Sequence, residues 1–269
     1  MLLGPRGEAW KLKPFQNCKL CYARTQFAGF CYGCLRANGE IDDMSGDRCE
    51  ICCHPLPAGA DCSNPLCGAH ATDRVFGRVI AATSLTGIAA MVVHTLKPKA
   101  DSGRTPKQHY ASVLGSFLAG YATANRDNLL GYDLAMPMPA HPDRVREIGV
   151  DIPATLVTYL HRALGGSIAA YAGTDEIATK SRRVEARATG NSYRERREAV
   201  KDAYRLVPGC EPQLTGARVL VVDDVFTTGS NLNALAALLL AAGAGQVDGL
   251  VVARAQYAAH DADQDDWLG

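Results

Sequence analysis

The stretch that decides the fold is RVLVVDDVFTTGS, residues 218–230. From Arg218 to Val222 it is rich in valine and leucine, which is typical of a buried parallel strand. Polar residues then lead into Asn231 to Ala242, an apolar helical segment that stops at Gly243. The next apolar run, Val247 to Val252, predicts a second strand. The sequence therefore predicts a β-loop-α-β unit with parallel strands.

Upstream of this unit, helix and strand patterns alternate, which predicts an α/β fold with helices covering a parallel sheet. The most apolar long stretch, Val79 to Leu96, is interrupted by polar residues and predicts a buried or amphipathic helix rather than a membrane span. The other predicted elements are helices at Tyr110–Ala124, Pro153–Leu164 and Ser192–Tyr204, strands at Leu134–Met138 and Ser167–Tyr171, and loops at Asp223–Ser230 and Gly209–Gly216.

The composition divides the chain into three regions. Nine of the ten cysteines lie between Cys18 and Cys67, where little apolar periodicity is present. This part is therefore expected to need a stabilising cross-link, such as a bound metal ion, to fold. We predict a cysteine-rich zinc-binding module over residues 1–72, the α/β domain over 73–256 and a solvated acidic tail over 257–269. The net charge of +0 argues against a general polyanion binder. Met1 to Pro14 contains charged residues and no apolar core, so we expect a cytoplasmic location and no membrane partner.

Eight cysteines form four closely spaced pairs, which predicts two tetrahedral zinc sites with four thiolates each. Without a secretory signal, such pairs indicate metal rather than disulfides. Spacing leaves open whether the sites are sequential or cross-braced, and iron–sulfur ligation is the alternative. Cys53 and Cys210 are predicted not to bind metal, and His54 and His70 are alternative ligands. The eight predicted ligands are Cys18, Cys21, Cys31, Cys34, Cys49, Cys52, Cys62 and Cys67.

Two adjacent carboxylates, Asp223 and Asp224, follow the predicted strand at residues 218–222. Ligands of open α/β sheets bind at the carboxyl ends of strands, and neighbouring carboxylates are seldom placed there for stability. The loop Thr227–Ser230 adds hydroxyls, a glycine and a helix N-terminus, which together favour an anion. The sequence thus offers acceptors for sugar hydroxyls beside a phosphate site. The alternative is an ordinary Asp-rich turn with a hydroxyl capping the helix.

The pattern of apolar run, Asp-Asp, two residues and Thr-Thr-Gly resembles the signature of type I phosphoribosyltransferases. The resemblance implies a type I phosphoribosyltransferase-like parallel sheet flanked by helices. It implies that Asp223 and Asp224, the catalytic candidates, hold the ribose hydroxyls, and that the loop backbone holds the 5′-phosphate. Asn231 stands where the family often has threonine, and its amide N–H could replace that hydroxyl. The substrate-binding candidates from this signature are Val225, Phe226, Thr227, Thr228, Gly229, Ser230 and Asn231.

The cysteine pairs ahead of this domain are similar to those of the ComF-like subfamily, also described as predicted amidophosphoribosyltransferases. Pro137-Met138-Pro139 is similar to a Pro-Val-Pro-like run that lies near the donor diphosphate in that family. Glu195-Arg196-Arg197 is similar to a basic helix motif, which makes Arg196 a substrate-binding candidate. The chain departs from the pattern of that family at two places. Residues Arg146–Asp151 keep only the glycine of the family's Arg-Gly-Phe-Asn stretch, and Ala199 stands where the family has an asparagine.

The resemblance implies binding of phosphoribosyl diphosphate with Mg²⁺ and transfer of the phosphoribosyl group to a nitrogen nucleophile through an oxocarbenium-like transition state. Arg182, Arg183 and Arg187 are candidates for a mobile lid over the diphosphate, and a solvated face with ion pairs is the alternative. Two other functions stay open: a sensor of nucleotide or phosphoribosyl diphosphate, and a DNA-uptake accessory that binds single-stranded DNA. A homodimer is a further candidate assembly.

Overall fold

The computed structural model describes residues 16–17, 24–25, 44–87, 89–90, 93, 107–171, 177–183 and 193–256. Four predicted zinc ligands (Cys18, Cys21, Cys31 and Cys34), Arg187 and the predicted tail at 257–269 lie outside the described residues. The strands are β1 (Gln16–Asn17), β2 (Arg24–Thr25), β3 (Val79–Ser84), β4 (Leu134–Pro137), β5 (Ala169–Ala170), β6 (Ala178–Lys180), β7 (Tyr204–Leu206), β8 (Arg218–Phe226) and β9 (Gln246–Arg254). The helices are α1 (Lys107–Ala124), α2 (Arg126–Leu129), α3 (Pro142–Ile148), α4 (Ile152–Ala163), α5 (Tyr193–Val200), α6 (Glu211–Leu214) and α7 (Ser230–Ala241), with a 3₁₀ turn at Ala71–Asp73.

The main sheet has five strands in the order β3-β9-β8-β4-β5, and every neighbouring pair is parallel. Alternate residues of β8 serve two cores: Leu220 and Val222 face the helices α1 and α4, whereas Val219 and Val221 face α7. A strand buried on both faces must be apolar throughout, which explains the valine-rich run. The predicted α/β class, a parallel sheet flanked by helices, is confirmed.

The prediction of a helix over Val79–Leu96 is wrong for its first part. Val79–Ser84 forms the edge strand β3, which pairs in parallel with β9. Buried strands and buried helices are both continuously apolar, so periodicity could not separate them here. No helix among the described residues is long and apolar enough to cross a bilayer.

Three predicted boundaries also change. The strand β8 continues through Asp223 to Phe226 because it keeps its pairing with β9, so the predicted loop is shorter. The charged helix ends at Val200, and Tyr204 already belongs to β7. The predicted loop at Gly209–Gly216 contains the one-turn helix α6.

A small antiparallel pair, β6 and β7, lies outside the main sheet and matters for the site. Its register places Lys180 opposite Tyr204. Tyr204 belongs to the same buried cluster as Val221 and the α7 residue Leu235. The pair therefore brings a lysine and a tyrosine to the α7 side of the sheet, beside the end of β8.

Candidate active site and metal centre

The phosphate loop, Thr227–Ser230, joins the end of β8 to the start of α7. Gly229 has φ of 89°, a left-handed conformation that strains other residues. A Cβ atom there would also lie 2.7 Å from the ring of Phe226 and 3.2 Å from Cδ1 of Leu66. The buried hydroxyls of Thr228 and Ser230 lie 3.1 Å apart. The loop thus turns sharply into a twelve-residue helix whose first N–H groups are available for an anion.

The two carboxylates differ in their surroundings. Side chains alternate along a strand, so Asp223 shares the face of Val221 and Asp224 falls on the opposite face. Asp223 lines a pocket together with Val225, Phe226, Thr227, Gly229, Ser230, Asn231 and Met138. The pocket combines one carboxylate of the predicted pair with the phosphate loop.

Burial raises the pKa of Asp223 well above its ordinary value, and the charge of Asp224 raises it further. The ammonium group of Lys180 acts in the opposite direction. Burial in turn lowers the pKa of Lys180, while Asp223 raises it. The charges of Asp223 and Lys180 therefore influence each other in a partly desolvated site, where a charged ligand would interact with both.

Lys180 and Tyr204 converge on Asn231 at the pocket. The Tyr204 hydroxyl and the Lys180 ammonium donate to Asn231 Oδ1 at 2.7 and 3.3 Å. Lys180 Nζ also lies 5.1 Å from the centre of the Tyr204 ring. Because Oδ1 accepts both bonds, the amide NH₂ is the end of Asn231 that can donate to an anion. Sequence reasoning missed Lys180 as a site residue, since no local pattern connects β6 with the end of β8.

The segment after β4 also borders the pocket. The Met138 N–H donates to the Val222 carbonyl at 2.8 Å, and the Met138 side chain lines the pocket. Its sulfur lies 3.6 Å from the Tyr204 hydroxyl. Pro137 and Pro139 flank it and are buried. The structure thus places the Pro-Met-Pro run beside Asp223, although it is Met138 that faces the pocket.

The predicted arginines lie farther out. Arg196 is partly buried on α5, a helix that packs against α7. Arg182 donates to the carbonyls of Ala199 and Lys201, both at 2.8 Å, and so caps the end of α5. Arg183 binds Glu147 with two hydrogen bonds. Arg182 and Arg183 therefore hold other parts of the chain in this conformation, whereas the charge of Lys180, within the part of the chain that the structure describes, acts on Asp223.

The cysteine cluster consists of Cys49, Cys52, Cys62 and Cys67, whose sulfur atoms all lie within 4.8 Å of one another. Cys52 and Cys62 are 3.5 Å apart, and none of the four forms a disulfide. A tetrahedral zinc ion with Zn–S bonds of about 2.3 Å separates its sulfur ligands by about 3.8 Å. The four residues therefore fit such an ion. The third and fourth cysteine pairs along the chain therefore lie together. For these four cysteines the arrangement is sequential and not cross-braced.

Without a bound cation, negative charges on the four cysteine sulfur atoms would repel one another. The side chain of Cys49 is the main cause of the raised pKa of both Cys62 and Cys67. The neighbouring Cys53 and His54 lie outside the quartet. Cys53 donates its S–H to the Val79 carbonyl at 3.0 Å. His54 contacts Ser63, and burial, followed by the charge of Arg254, lowers its pKa to about 4.

Arg254 is a fully buried cation between the cluster and the phosphate loop. It donates to the Cys52 carbonyl at 2.8 Å and approaches the Cys52 sulfur at 3.6 Å. It also donates to the Phe226 carbonyl at 3.2 Å and stacks 5.0 Å from that ring. A buried cation is costly unless negative charge is close, and thiolates of a metal-bound cluster would supply that charge. Sequence reasoning missed this role, because Arg254 ends an otherwise apolar strand and no local pattern connects it with the cysteines.

The chain is similar in structure to the allosteric regulatory enzyme of purine biosynthesis, with a TM-score of 0.36 and 18% sequence identity. The similarity covers 60% of this chain and 30% of that protein, so the chain spans about a third of its length. Neither a protein-family model nor a curated protein matches the sequence.

Proposed function

We propose that this chain binds phosphoribosyl diphosphate with Mg²⁺ and transfers the phosphoribosyl group to a nitrogen nucleophile. The observation that supports this most directly is the pocket in which Asp223 and the phosphate loop meet, with Lys180 hydrogen-bonded to Asn231 of its lining. One carboxylate, one anion-binding helix start and one cation match the three parts of the donor. These parts are a sugar with free hydroxyls, a 5′-phosphate and a diphosphate.

The loop would hold the 5′-phosphate. Its carbonyl oxygens at Thr227 and Thr228 are bonded elsewhere, so the N–H groups at the start of α7 are free to face the phosphate. The hydroxyls of Thr228 and Ser230 and the amide of Asn231 add donors. Asp223, at the end of the strand, would accept hydrogen bonds from the ribose hydroxyls.

The reaction breaks the bond between the anomeric carbon and the diphosphate oxygen and forms a carbon–nitrogen bond, and the nucleophile loses a proton. Mg²⁺, which prefers phosphate oxygens and few protein ligands, would neutralise the leaving diphosphate. Lys180 would add a second positive charge near the pocket, and the carboxylate of Asp223 would stabilise the positive charge that develops on the ribose ring. The buried walls formed by Met138 and Phe226 limit access of water.

The finer assignment follows from the sequence. The spacing of the cysteine pairs Cys18-x2-Cys21 and Cys31-x2-Cys34 supports a second zinc site with four thiolate ligands. The module boundary near residue 72 and the sugar-binding role of Asp224 belong to the same proposal.

Isothermal titration calorimetry with phosphoribosyl diphosphate and Mg²⁺ tests the donor pocket. The wild type should bind, and Asp223→Asn/Asp224→Asn should lose at least about tenfold in affinity, because hydrogen bonds to charged groups contribute about 1.5–3 kcal/mol. Asp133→Asn is the matched control. That exposed carboxylate lies at the opposite end of the sheet, where it accepts from the Arg218 N–H, and its loss should leave binding unchanged.

Diphosphate release with a panel of bases and amines then separates transfer from binding alone. Release that depends on the nucleophile, and that is lost in the double variant, supports a transferase. Tight binding with no release under any of these conditions would instead identify a sensor. Absence of binding by the wild type would refute the proposed ligand.

A further inference from the structure

We infer that Asn64 is a positioning residue for the phosphate loop, and that the metal-bound cysteine cluster thereby sets the affinity of the loop for phosphate. The inference rests on the proposed function, since it concerns the same pocket. It adds a control element from a distant part of the sequence: Asn64 lies between two cluster cysteines, Cys62 and Cys67.

Asn64 is fully buried, and both ends of its amide are bonded. Its NH₂ group donates to the carbonyl oxygens of Thr227 and Thr228 at 3.2 and 3.3 Å. Its Oδ1 accepts from the Leu66 N–H at 3.0 Å. The amide orientation is therefore fixed from within the cysteine segment, and its two donors are directed at the loop.

The two bonded carbonyls decide what the loop presents to a ligand. A carbonyl oxygen directed at a phosphate would repel it, whereas an N–H group would bind it. By holding the carbonyls of Thr227 and Thr228 toward the cysteine segment, Asn64 favours the loop conformation whose N–H groups face the pocket. Leu66 supports the same conformation, because its side chain packs beside Gly229, where no Cβ fits.

A second link runs through Arg254. Its guanidinium donates both to the carbonyl of Cys52, a cluster residue, and to the carbonyl of Phe226, which precedes the loop. The loop is thus held on one side by Asn64 and at its root by Arg254. Both contacts end on the segment that the cysteines organise.

That segment keeps its shape through turns and packing, with little regular secondary structure. Across residues 44–70, all of which the structure describes, the regular pairing is one isolated bridge between Arg48 and Pro55. A metal ion bound by four cysteines would join the two ends of this segment, Cys49–Cys52 and Cys62–Cys67, and so fix the position of Asn64 between them. Loss of the ion should therefore release Asn64 and weaken the phosphate site, even though neither the ion nor Asn64 touches the ligand.

Calorimetry on the zinc-loaded full chain tests the positioning role with two probes, ribose 5-phosphate and phosphoribosyl diphosphate with Mg²⁺. Asn64→Ala should weaken both by a similar factor, roughly tenfold or more for two lost hydrogen bonds, because both probes carry the 5′-phosphate. Zinc content measured by mass spectrometry should stay unchanged. Equal affinities in wild type and Asn64→Ala would overturn the inference and leave the proposed function standing.

Asn233→Ala is the matched control. The side chain of this asparagine also makes two hydrogen bonds between α7 and the preceding chain, from the Val75 N–H and to the Asp73 carbonyl. Its bond to the loop runs from its backbone N–H to the Gly229 carbonyl, and the alanine variant keeps that bond. It should lower the melting temperature and keep the affinity within about twofold. If it weakens binding as much as Asn64→Ala does, the effect is general destabilisation and the positioning role is wrong.

A second variant covers the case in which Asn64→Ala does not fold. Asn64→Asp keeps the shape of the side chain and the bond from the Leu66 N–H but removes the donors to the loop, so it should also weaken the binding of both probes.

The link to the metal has its own test. Zinc removal from the wild type should raise amide hydrogen exchange at Thr228–Ser230 before the sheet opens, and added zinc should restore protection. Unchanged exchange would overturn the link to the metal. If the wild type binds neither probe, the proposed function itself fails.

Discussion

The phosphate loop and the cysteine cluster lie side by side at one end of the sheet, yet they are built for opposite charges. The loop concentrates N–H groups and a helix N-terminus, and it includes the exposed Thr227. The cluster concentrates four sulfur ligands around a space of ion size, and Cys52 is fully buried. A site for a ligand that enters and leaves must be open, whereas a site for a resident ion can be closed. The difference fits the proposed ligand site and the proposed structural metal site, which share one wall.

The shared wall consists of Asn64 and Arg254, and each of these residues contacts both regions. A structural metal site usually stabilises the fold without influencing a particular ligand. Here its contacts end on the backbone of the loop. The comparison therefore predicts that perturbing the cluster lowers stability first and phosphate affinity second, and that perturbing the pocket lowers ligand affinity without lowering stability.

The largest expected effect comes from removing a cluster ligand. Cys52→Ser should lower the free energy of unfolding by on the order of 3–5 kcal/mol, because loss of a metal site is among the most damaging single changes. Urea denaturation of the zinc-loaded protein measures it. Cys53→Ser is the adjacent control, since its hydroxyl can still donate to the Val79 carbonyl, and it should cost less than about 1 kcal/mol. If both variants lose the same free energy of unfolding, Cys52 has no special role as a metal ligand compared with Cys53.

A smaller effect is expected from the cation of the pocket. Lys180→Gln should weaken phosphoribosyl diphosphate binding by roughly ten- to a hundredfold, the range for a lost charge-assisted hydrogen bond. Ribose 5-phosphate should lose less, because it lacks the diphosphate. Lys201→Gln, which removes an exposed lysine paired with Glu198, should change neither affinity. If both ligands weaken equally in Lys180→Gln, then Lys180 acts on the sugar or the 5′-phosphate and not on the diphosphate.

The same comparison explains how far the sequence alone could lead. The strand, the acidic pair and the loop are contiguous, so the local pattern at residues 218–230 was enough to predict the central unit and its neighbours. The cluster was equally accessible, because Cys-x2-Cys spacing is a local signal. Lys180, Asn64 and Arg254 were not. Each acts through contacts with residues far along the chain, and each is of a type that sequence patterns treat as ordinary surface or loop.

The secondary structure shows the same limit. Val79–Ser84 was predicted as helix, because a buried edge strand of a parallel sheet and a buried helix share an apolar composition. The strand became evident only with its partner β9. In the same way, β8 extends past Asp223 because a neighbouring strand continues alongside it. Tertiary pairing, and not local propensity, set both boundaries.

The smallest expected effect concerns the stability of the pocket itself. Burial and the charge of Asp224 raise the pKa of Asp223 in the folded state above its value in the unfolded chain. A raised pKa means that the folded state holds the proton more tightly, so this contribution to stability is complete below the unfolded pKa of about 3.9 and is lost as the pH rises through the folded pKa. Asp223→Asn removes the dependence. The variant should therefore become more stable relative to wild type as the pH rises from 4 to 8.

Urea denaturation at a series of pH values measures this difference, with zinc present throughout and without donor ligand. Asp133→Asn controls for the change in net charge, because that carboxylate is exposed and lies at the opposite end of the sheet. The expected result is a variant that is more stable than wild type near neutral pH and yet binds phosphoribosyl diphosphate poorly. Residues kept at a cost to stability are typical of binding sites. If Asp223→Asn is instead less stable than wild type at pH 8, the carboxylate stabilises the fold. Asp223 then no longer supports the contrast between a ligand site and a structural site.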